Sequence, residues 1–247
     1  GRYSVRTVDA NRCQSPSSNN ISITVNALPA KPILTALGPT TFCQGGQVSL
    51  TTNYSTGITW NNFQNSQTIT ATTGGNYNVS YVDKNGCRSV SDAFPVKVNP
   101  LPAAPTVVNE RPTTFCATDN TVLTITSGGN IFEWSNGDRG RSIRVYSAGS
   151  ISATVFEPST GCTSPASVPI QIVVNPNPGR PTISVGGPTT ICADQSVTLT
   201  APDASAYQWS NNANTKSVAV NLAGNYTLII RNQFGCSSPA SEPVNVR

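Results

Sequence analysis

The sequence predicts an all-β chain, a tandem array of small sandwiches joined by Pro-rich hinges. Three observations carry that reading. The first is a fixed period: Trp60, Trp134 and Trp209 stand 74 and 75 residues apart, and Cys13, Cys87, Cys162 and Cys236 stand 74, 75 and 74 apart. Cys43, Cys116 and Cys192 follow at 73 and 76, so the unit of the fold is a repeat. The second is strict alternation of apolar and polar residues with no helical period anywhere. The third is a recurring N-x-x-P-x-x-P segment, at NALPAKP (26–32), NPLPAAP (99–105) and NPNPGRP (175–181). Proline fixes φ and removes a donor, so each such segment is an extended, semi-rigid hinge that makes a rod of neighbouring units.

These hinges divide the chain into repeats at 26–98, 99–174 and 175–247, preceded by residues 1–25. Each repeat opens on PTTFC or PTTIC and continues into a strand in which Val48 and Leu50, Leu123 and Ile125, or Val197 and Leu199 share one face. A strand bearing Trp60, Trp134 or Trp209 follows; a Trp facing a compact β core hides a large apolar area, and these three are expected to be core anchors. After a polar turn (NFQNS, NGDRG, NNANT) comes another alternating run, then a Gly and a strand in which Tyr77, Val79 and Tyr81 line one face. Ile151, Ala153 and Val155 do the same in the second repeat, and Tyr226, Leu228 and Ile230 in the third. DKNG, PSTG or NQFG then turns into the second Cys, and PVKV, PIQIVV or PVNV closes the unit.

The opening GRYSVRTVDANRC aligns with GNYNVSYVDKNGC at Gly75–Cys87. Residues 1–25 are therefore expected to be the last two strands of a sandwich whose front half lies upstream, with Tyr3, Val5 and Thr7 on the core face. Met is absent, so Gly1 is read as an internal residue of a longer array. Half a sandwich leaves strand edges unpaired, so this segment is expected to be disordered, self-associating or completed by another segment.

Seven Cys and no His, without any C-x2-C spacing, favour structural disulfides over zinc. Two pairings fit the period. Bridges inside each repeat join Cys43 to Cys87, Cys116 to Cys162 and Cys192 to Cys236, leaving Cys13 to an upstream partner. Bridges across the hinges join Cys13 to Cys43, Cys87 to Cys116 and Cys162 to Cys192. Counting four strands between the first and second Cys of a repeat returns the chain to the pole it left, which favours bridges within repeats. Such loops of 44 to 46 residues stabilise by roughly 4 kcal/mol on chain-entropy grounds, a large share of what so small a core supplies. Disulfides also imply an oxidising compartment.

PTTFC, the Trp strand, G-x-Y-x-V, the NGC turn and the NPLPAAP hinge together resemble the Ig-like repeats of very large secreted surface proteins of Bacteroidota, exported by the type IX secretion system. The likeness runs over essentially the whole chain; Ala117 and Thr118 replace Gln44 and Gly45 after the first Cys, and Ile151 replaces the Tyr of G-x-Y. It implies an extracellular or cell-surface segment of a gliding or attachment adhesin, a stalk or a filament, with a surface polysaccharide, another cell-surface protein or laterally associated copies as partners.

The residues themselves name no catalytic, metal, cofactor or ligand-binding site. Without His the common hydrolytic triads are excluded, and 11 acidic residues are scattered over different places in each repeat. No DxD or DxNDN run marks a hinge calcium site. The Asn-Gly and Gly-Gly pairs are turns, since no helix follows to bind a phosphate, and the N-x-S/T sequons at Asn20, Asn53, Asn78 and Asn225 take no role. Net charge is only +4, and Arg139, Arg141 and Arg144 read as solvated charges on an outward strand face rather than a nucleic-acid footprint. No apolar run is long enough to span a membrane. A carbohydrate-binding array would need an exposed aromatic platform; only Phe63, Phe132 and Phe234 lie outside the core pattern, at unrelated places. The remaining alternative is a non-catalytic appendage of a secreted enzyme. The expected work is mechanical, each unit with its hinge extending the chain by something on the order of 40 Å.

Overall fold

The computed structural model describes residues 1–129 and 131–247. They form two compact units, Gly1–Leu101 and Pro102–Arg247. Every regular element is a β-strand: the chain is all-β and built of tandem Ig-like sandwiches.

The repeats share one strand plan. In the first, Leu34–Ala36 pairs with Val48–Thr52, which pairs with Thr68–Ala71, all antiparallel. Val107–Asn109, Thr121–Ile125 and Ser142–Val145 repeat this layer, as do Ser184–Val185, Val197–Thr200 and Ser217–Val220. The opposite layer holds the Trp strands, Ile58–Trp60, Ile131–Trp134 and Ala206–Trp209, paired with Val79–Val82, Ala153–Glu157 and Leu228–Arg231. Alternation sends Val48, Leu50, Leu123, Ile125, Val197 and Leu199 inward, where all are buried. Three separate cores result, one per repeat.

The Trp residues sit at the centre of these cores, at 1%, 4% and 1% exposure. Each indole N–H donates to the carbonyl six residues on, Ser66, Gly140 or Thr215, at 2.9 Å. A buried donor is thereby satisfied, and the polar turn after the Trp is tied back as a short hairpin. In the second repeat a bridge pairs Glu133 with Arg139. This return leg is an extra reversal that a four-strand count omits.

The G-x-Y strand is broken once. Gly75–Tyr77 pairs with the closing strand Phe94–Asn99, whereas Val79–Val82 pairs with the Trp strand. At the break the residue after the Trp serves both chains: Ser135 N–H donates to Ser152 O, and Ser135 Oγ accepts from Ser152 N. Ser210 treats Thr227 in the same way.

Serines after the second Cys stand in for a regular strand edge. Ser238 and Ser241 Oγ accept from the N–H groups of Ile230 and Leu228 at 3.1 and 3.0 Å, and both serines are buried. A side-chain acceptor suits a stretch whose Pro239 interrupts a ladder. Ser241→Ala strands the buried Leu228 N–H, and we expect a loss of about 1–3 kcal/mol in the third repeat, measured by urea denaturation; substitution of the half-buried Ser237, which meets Asn177 through its backbone carbonyl, should leave the midpoint unchanged.

Residues 1–25 correct one expectation. They form a paired hairpin, Arg2–Tyr3 against Ile21–Ser22, held by the same local serine bonds, from Thr7 N to Ser15 Oγ and from Val5 N to Ser18 Oγ. Pairing within these 25 residues needs no opposite layer. Its apolar face is open: Tyr3 and Val5 are 61% and 67% exposed, where their counterparts Tyr77 and Val79 are buried.

Candidate functional site

The poles of each repeat carry its Cys residues, and the strand plan decides which pole. The first Cys ends a short strand that runs parallel to the closing strand: Cys43 pairs with Asn99, and Cys116 with Asn175. It therefore lies where the chain leaves the repeat. The second Cys follows the turn at the other end, where the chain enters. Beside Cys87, Ser89 Oγ donates to the hinge carbonyl of Ala30; beside Cys236, Ser237 O accepts from hinge Asn177.

The pairing inside repeats is thereby overturned, and so is the alternative across adjacent hinge ends. Cys116 bonds Cys236, 120 residues on, with Cα atoms 5.5 Å apart. Cys43 and Cys162 are disulfide-bonded as well, whereas Cys13, Cys87 and Cys192 are free thiols. The physical reason is the hairpin after the Trp. Its added reversal places the two Cys of one repeat at opposite poles, so Cys116 at the exit of the second repeat meets Cys236 at the entry of the third.

Around Cys116–Cys236 the hinge Asn175–Pro176–Asn177 is clasped from both sides. Ala117 N–H donates to Asn175 O at 2.9 Å. Asn177 Nδ2 donates to Thr118 Oγ1 of the second repeat and to Ser237 O of the third, both at 3.1 Å. Asn232 Nδ2 donates to Pro176 O at 2.8 Å. Meanwhile Asn232 Oδ1 accepts from the N–H groups of Phe234 and Cys236, each at 3.0 Å, the side-chain turn that presents the Cys. Asp83 makes the same turn before Cys87, and Asp9 before Cys13. The residue preceding the Cys needs positive φ: Gly86 and Gly235 have φ of 80° and 78°, and Arg12 adopts 67° at that place. Asn rather than Asp at 232 supplies the donor that reaches the hinge. We expect Asn232→Asp to keep the turn and change the stability of the third repeat by under about 1 kcal/mol, while losing the Pro176 bond; faster amide hydrogen exchange at Ala117, whose N–H bonds the hinge carbonyl of Asn175, with an unchanged urea midpoint, would register it.

Phe234 is 53% exposed and, with Phe115, Cys116, Asn120 and Asn175, lines a cleft of about 290 Å3 at the joint. Asn120 Oδ1 and Asn177 Oδ1 are the buried side-chain oxygens without a partner among the described residues. The hinge is also fastened by an ion pair of Arg180 with Glu242; Lys31 and Asp92 make the corresponding pair in the first repeat at 2.6 Å. Both pairs are exposed and add little stability.

The other predicted groups fall as follows. Phe132 is a core residue, which removes it from the aromatic platform candidates, and Phe63 is isolated at 88% exposure. Arg144 is a solvated charge on an outward face, and Arg139 pairs with Glu133 at 2.8 Å. Arg141 does more than the sequence indicated: its guanidinium donates to the Ile125 and Ser127 carbonyls and lies 5.0 Å from the Phe132 ring centre. The hydrogen bond from Lys216, then its charge, holds Asp203 below the usual carboxylate range and raises Lys216 in return. Glu157 is lowered by the Ser159 hydroxyl and N–H. All three groups are at the surface, and Asp203 with Lys216 is an exposed ion pair. No cluster of three or more His, Cys, Asp or Glu able to hold a metal occurs among the described residues, and no helix is long and apolar enough to cross a membrane.

No protein-family model matches the chain, and no curated protein sequence does. Among solved structures, the crystal structure of chicken CNTN1 FN1-FN3 domains is similar at 12% identity, over 88% of this chain and 99% of that one, with a TM-score of 0.30. So low a score lends no weight to any functional transfer; the all-β architecture rests on the strand pairings themselves.

Proposed function

We propose that this chain is a non-catalytic, tension-bearing segment of an extracellular repeat protein, a stalk, adhesin or filament on a bacterial cell surface. One observation carries the reading: the bridge joins two sandwiches across their hinge instead of stapling one. Tension applied across residues 102–247 enters through the strand leading to Cys116, crosses to Cys236, and leaves through the closing strand. The 119 residues between the two sulfurs (separation 120) lie off that covalent path and cannot be drawn out. A binding module has no need of such a shunt, whereas a load-bearing segment does. The secreted, type IX-exported setting is supported by the sequence resemblance and by disulfides, which persist in oxidising surroundings; a surface polysaccharide or another surface protein is the partner such a segment would hold at a distance. Its non-catalytic character is supported by a chain without His whose shifted carboxylates are each explained by one local partner.

Single-molecule force spectroscopy with handles at residues 102 and 247 tests this. The oxidised protein should release no length from 117–235. The Cys116→Ser variant should release roughly 400 Å more, taking about 3.4 Å per residue. Equal extension of the two proteins would refute the reading.

A further inference from the structure

The free thiols belong to the same pattern as the bonded ones. Cys192 occupies the position of Cys116. Ile191 N–H donates to Arg247 O and Arg247 N–H to Thr189 O, the parallel pairing that ends at Cys116 one repeat earlier, where Val173 N–H donates to Thr113 O. The turn after each is alike: Gln195 N–H donates to Cys192 O at 3.0 Å, and Asp119 N–H to Cys116 O at 2.8 Å. Cys87 and Cys13 occupy the position of Cys236, each presented by a carboxylate or carboxamide that accepts from the Cys N–H. Cys192 is exposed, and lies at the exit pole of a repeat whose own second Cys is at the entry pole and already bonded.

From this equivalence we propose that Cys192 is a covalent attachment site for a following sandwich repeat, bonding the Cys in that repeat's D/N-x-x-G-C turn, and that Cys87 and Cys13 are the complementary sites for the exit-pole Cys of a preceding repeat. The observation that specifies the ligand is the Cys116–Cys236 bond itself, formed by the same two positions in this chain. The two kinds of site face opposite ways along the chain, so the linkage is head to tail and excludes a symmetric Cys192–Cys192 bond. Formation joins two thiols in one S–S bond; the two electrons and two protons pass to the disulfide of a thiol–disulfide oxidoreductase, which leaves as its dithiol. The consequence is a ladder in which Cys116 and Cys192 each bond the entry-side Cys one repeat on. Only the 29 residues from Cys87 to Cys116 then separate one bridge from the next along the shortest covalent path.

The partner repeat can belong to the same polypeptide or to a second copy of the chain, and one experiment separates them. Protein from native cells is alkylated with N-ethylmaleimide before lysis, digested without reduction, and its linked peptides sequenced. The expected result is near-complete loss of alkylation at Cys192, with its peptide joined to one that carries an entry-side turn, D/N-x-x-G-C or the D-x-x-R-C of Cys13. A joined peptide absent from these 247 residues identifies a following repeat; one containing Cys13 or Cys87 identifies a second copy. Alkylated Cys192, or Cys192 bonded to Cys236 or to another Cys192, overturns the proposal. The force measurement on 102–247 does not involve Cys192, so the two ideas fail separately.

Discussion

Replacing Cys116 with Ser should destabilise both the second and the third repeat, although the bond lies inside neither. When the third repeat unfolds with the bridge intact, Cys236 stays tied to the exit pole of the second, beside Asn175, which is 61 residues away in sequence. When the second unfolds, Cys116 stays tied to the entry pole of the third across a loop of nearly the same length. Closing a loop of about 60 residues removes roughly 4 kcal/mol of unfolded-state entropy. With a urea slope near 1 kcal/mol/M for so small a domain, the midpoint of each transition should fall by roughly 4 M, enough to unfold a marginal repeat in buffer. Both single variants and the double variant Cys116→Ser/Cys236→Ala should be nearly equivalent, because they remove one and the same bond. Serine at the half-buried 116 is the cleaner probe, since Cys236 is wholly enclosed. Midpoints unchanged from the oxidised parent would show that the bridge constrains orientation alone.

Much of this architecture was legible in the sequence, and the part that was not has a definite cause. Alternation located the core strands because burial of one face acts residue by residue: Val48 and Leu50 point inward for the same reason as Leu123 and Ile125. The Trp positions followed from period and area. The pairing of Cys116 with Cys236 escaped because it depends on the number of chain reversals between two points, and a single hairpin of a few polar residues changes that number. NGDRG reads as a turn; that Trp134 N–H takes Asp138 O and its indole takes Gly140 O, making the turn a return leg, is a tertiary fact. The clasp at the joint was hidden in another way. Asn232 and Asp83 are interchangeable as turn residues, and only the approach of Pro176 O separates them. Phe132 was misplaced as exposed because the run IFEW was placed by its Trp alone; two residues before a core-facing Trp134, it shares the inward face of Ile131–Trp134. Hairpin order in residues 1–25 was underestimated because serine acceptors, which no hydrophobic pattern reports, complete the pairing.

Trp209→Ala should be the most damaging substitution in the third repeat. It removes a fully enclosed side chain from a core that includes Leu199, Leu228 and Val246, a change that costs about 3–5 kcal/mol where the surroundings relax only partly. It also leaves the Thr215 carbonyl without the indole donor that closes the hairpin. A domain of this size holds about 4–10 kcal/mol in all, at roughly 0.05–0.15 kcal/mol per residue, so most of its stability is lost. Trp209→Phe separates the two contributions: it retains much of the apolar area and forfeits the N–H, for about 1–3 kcal/mol. Because the cores are separate, the damage should stop at the joint. In hydrogen exchange the Ala variant should lose protection over 184–246 and keep it over 107–174, with the Cys116–Cys236 bond reduced to a tether on a folded neighbour. Loss of protection spreading into 107–174 would mean that the clasped hinge and its disulfide make the two sandwiches one cooperative unit. The shunt would then protect the pair only as a whole, and a defect in any one repeat would release the load onto its neighbour.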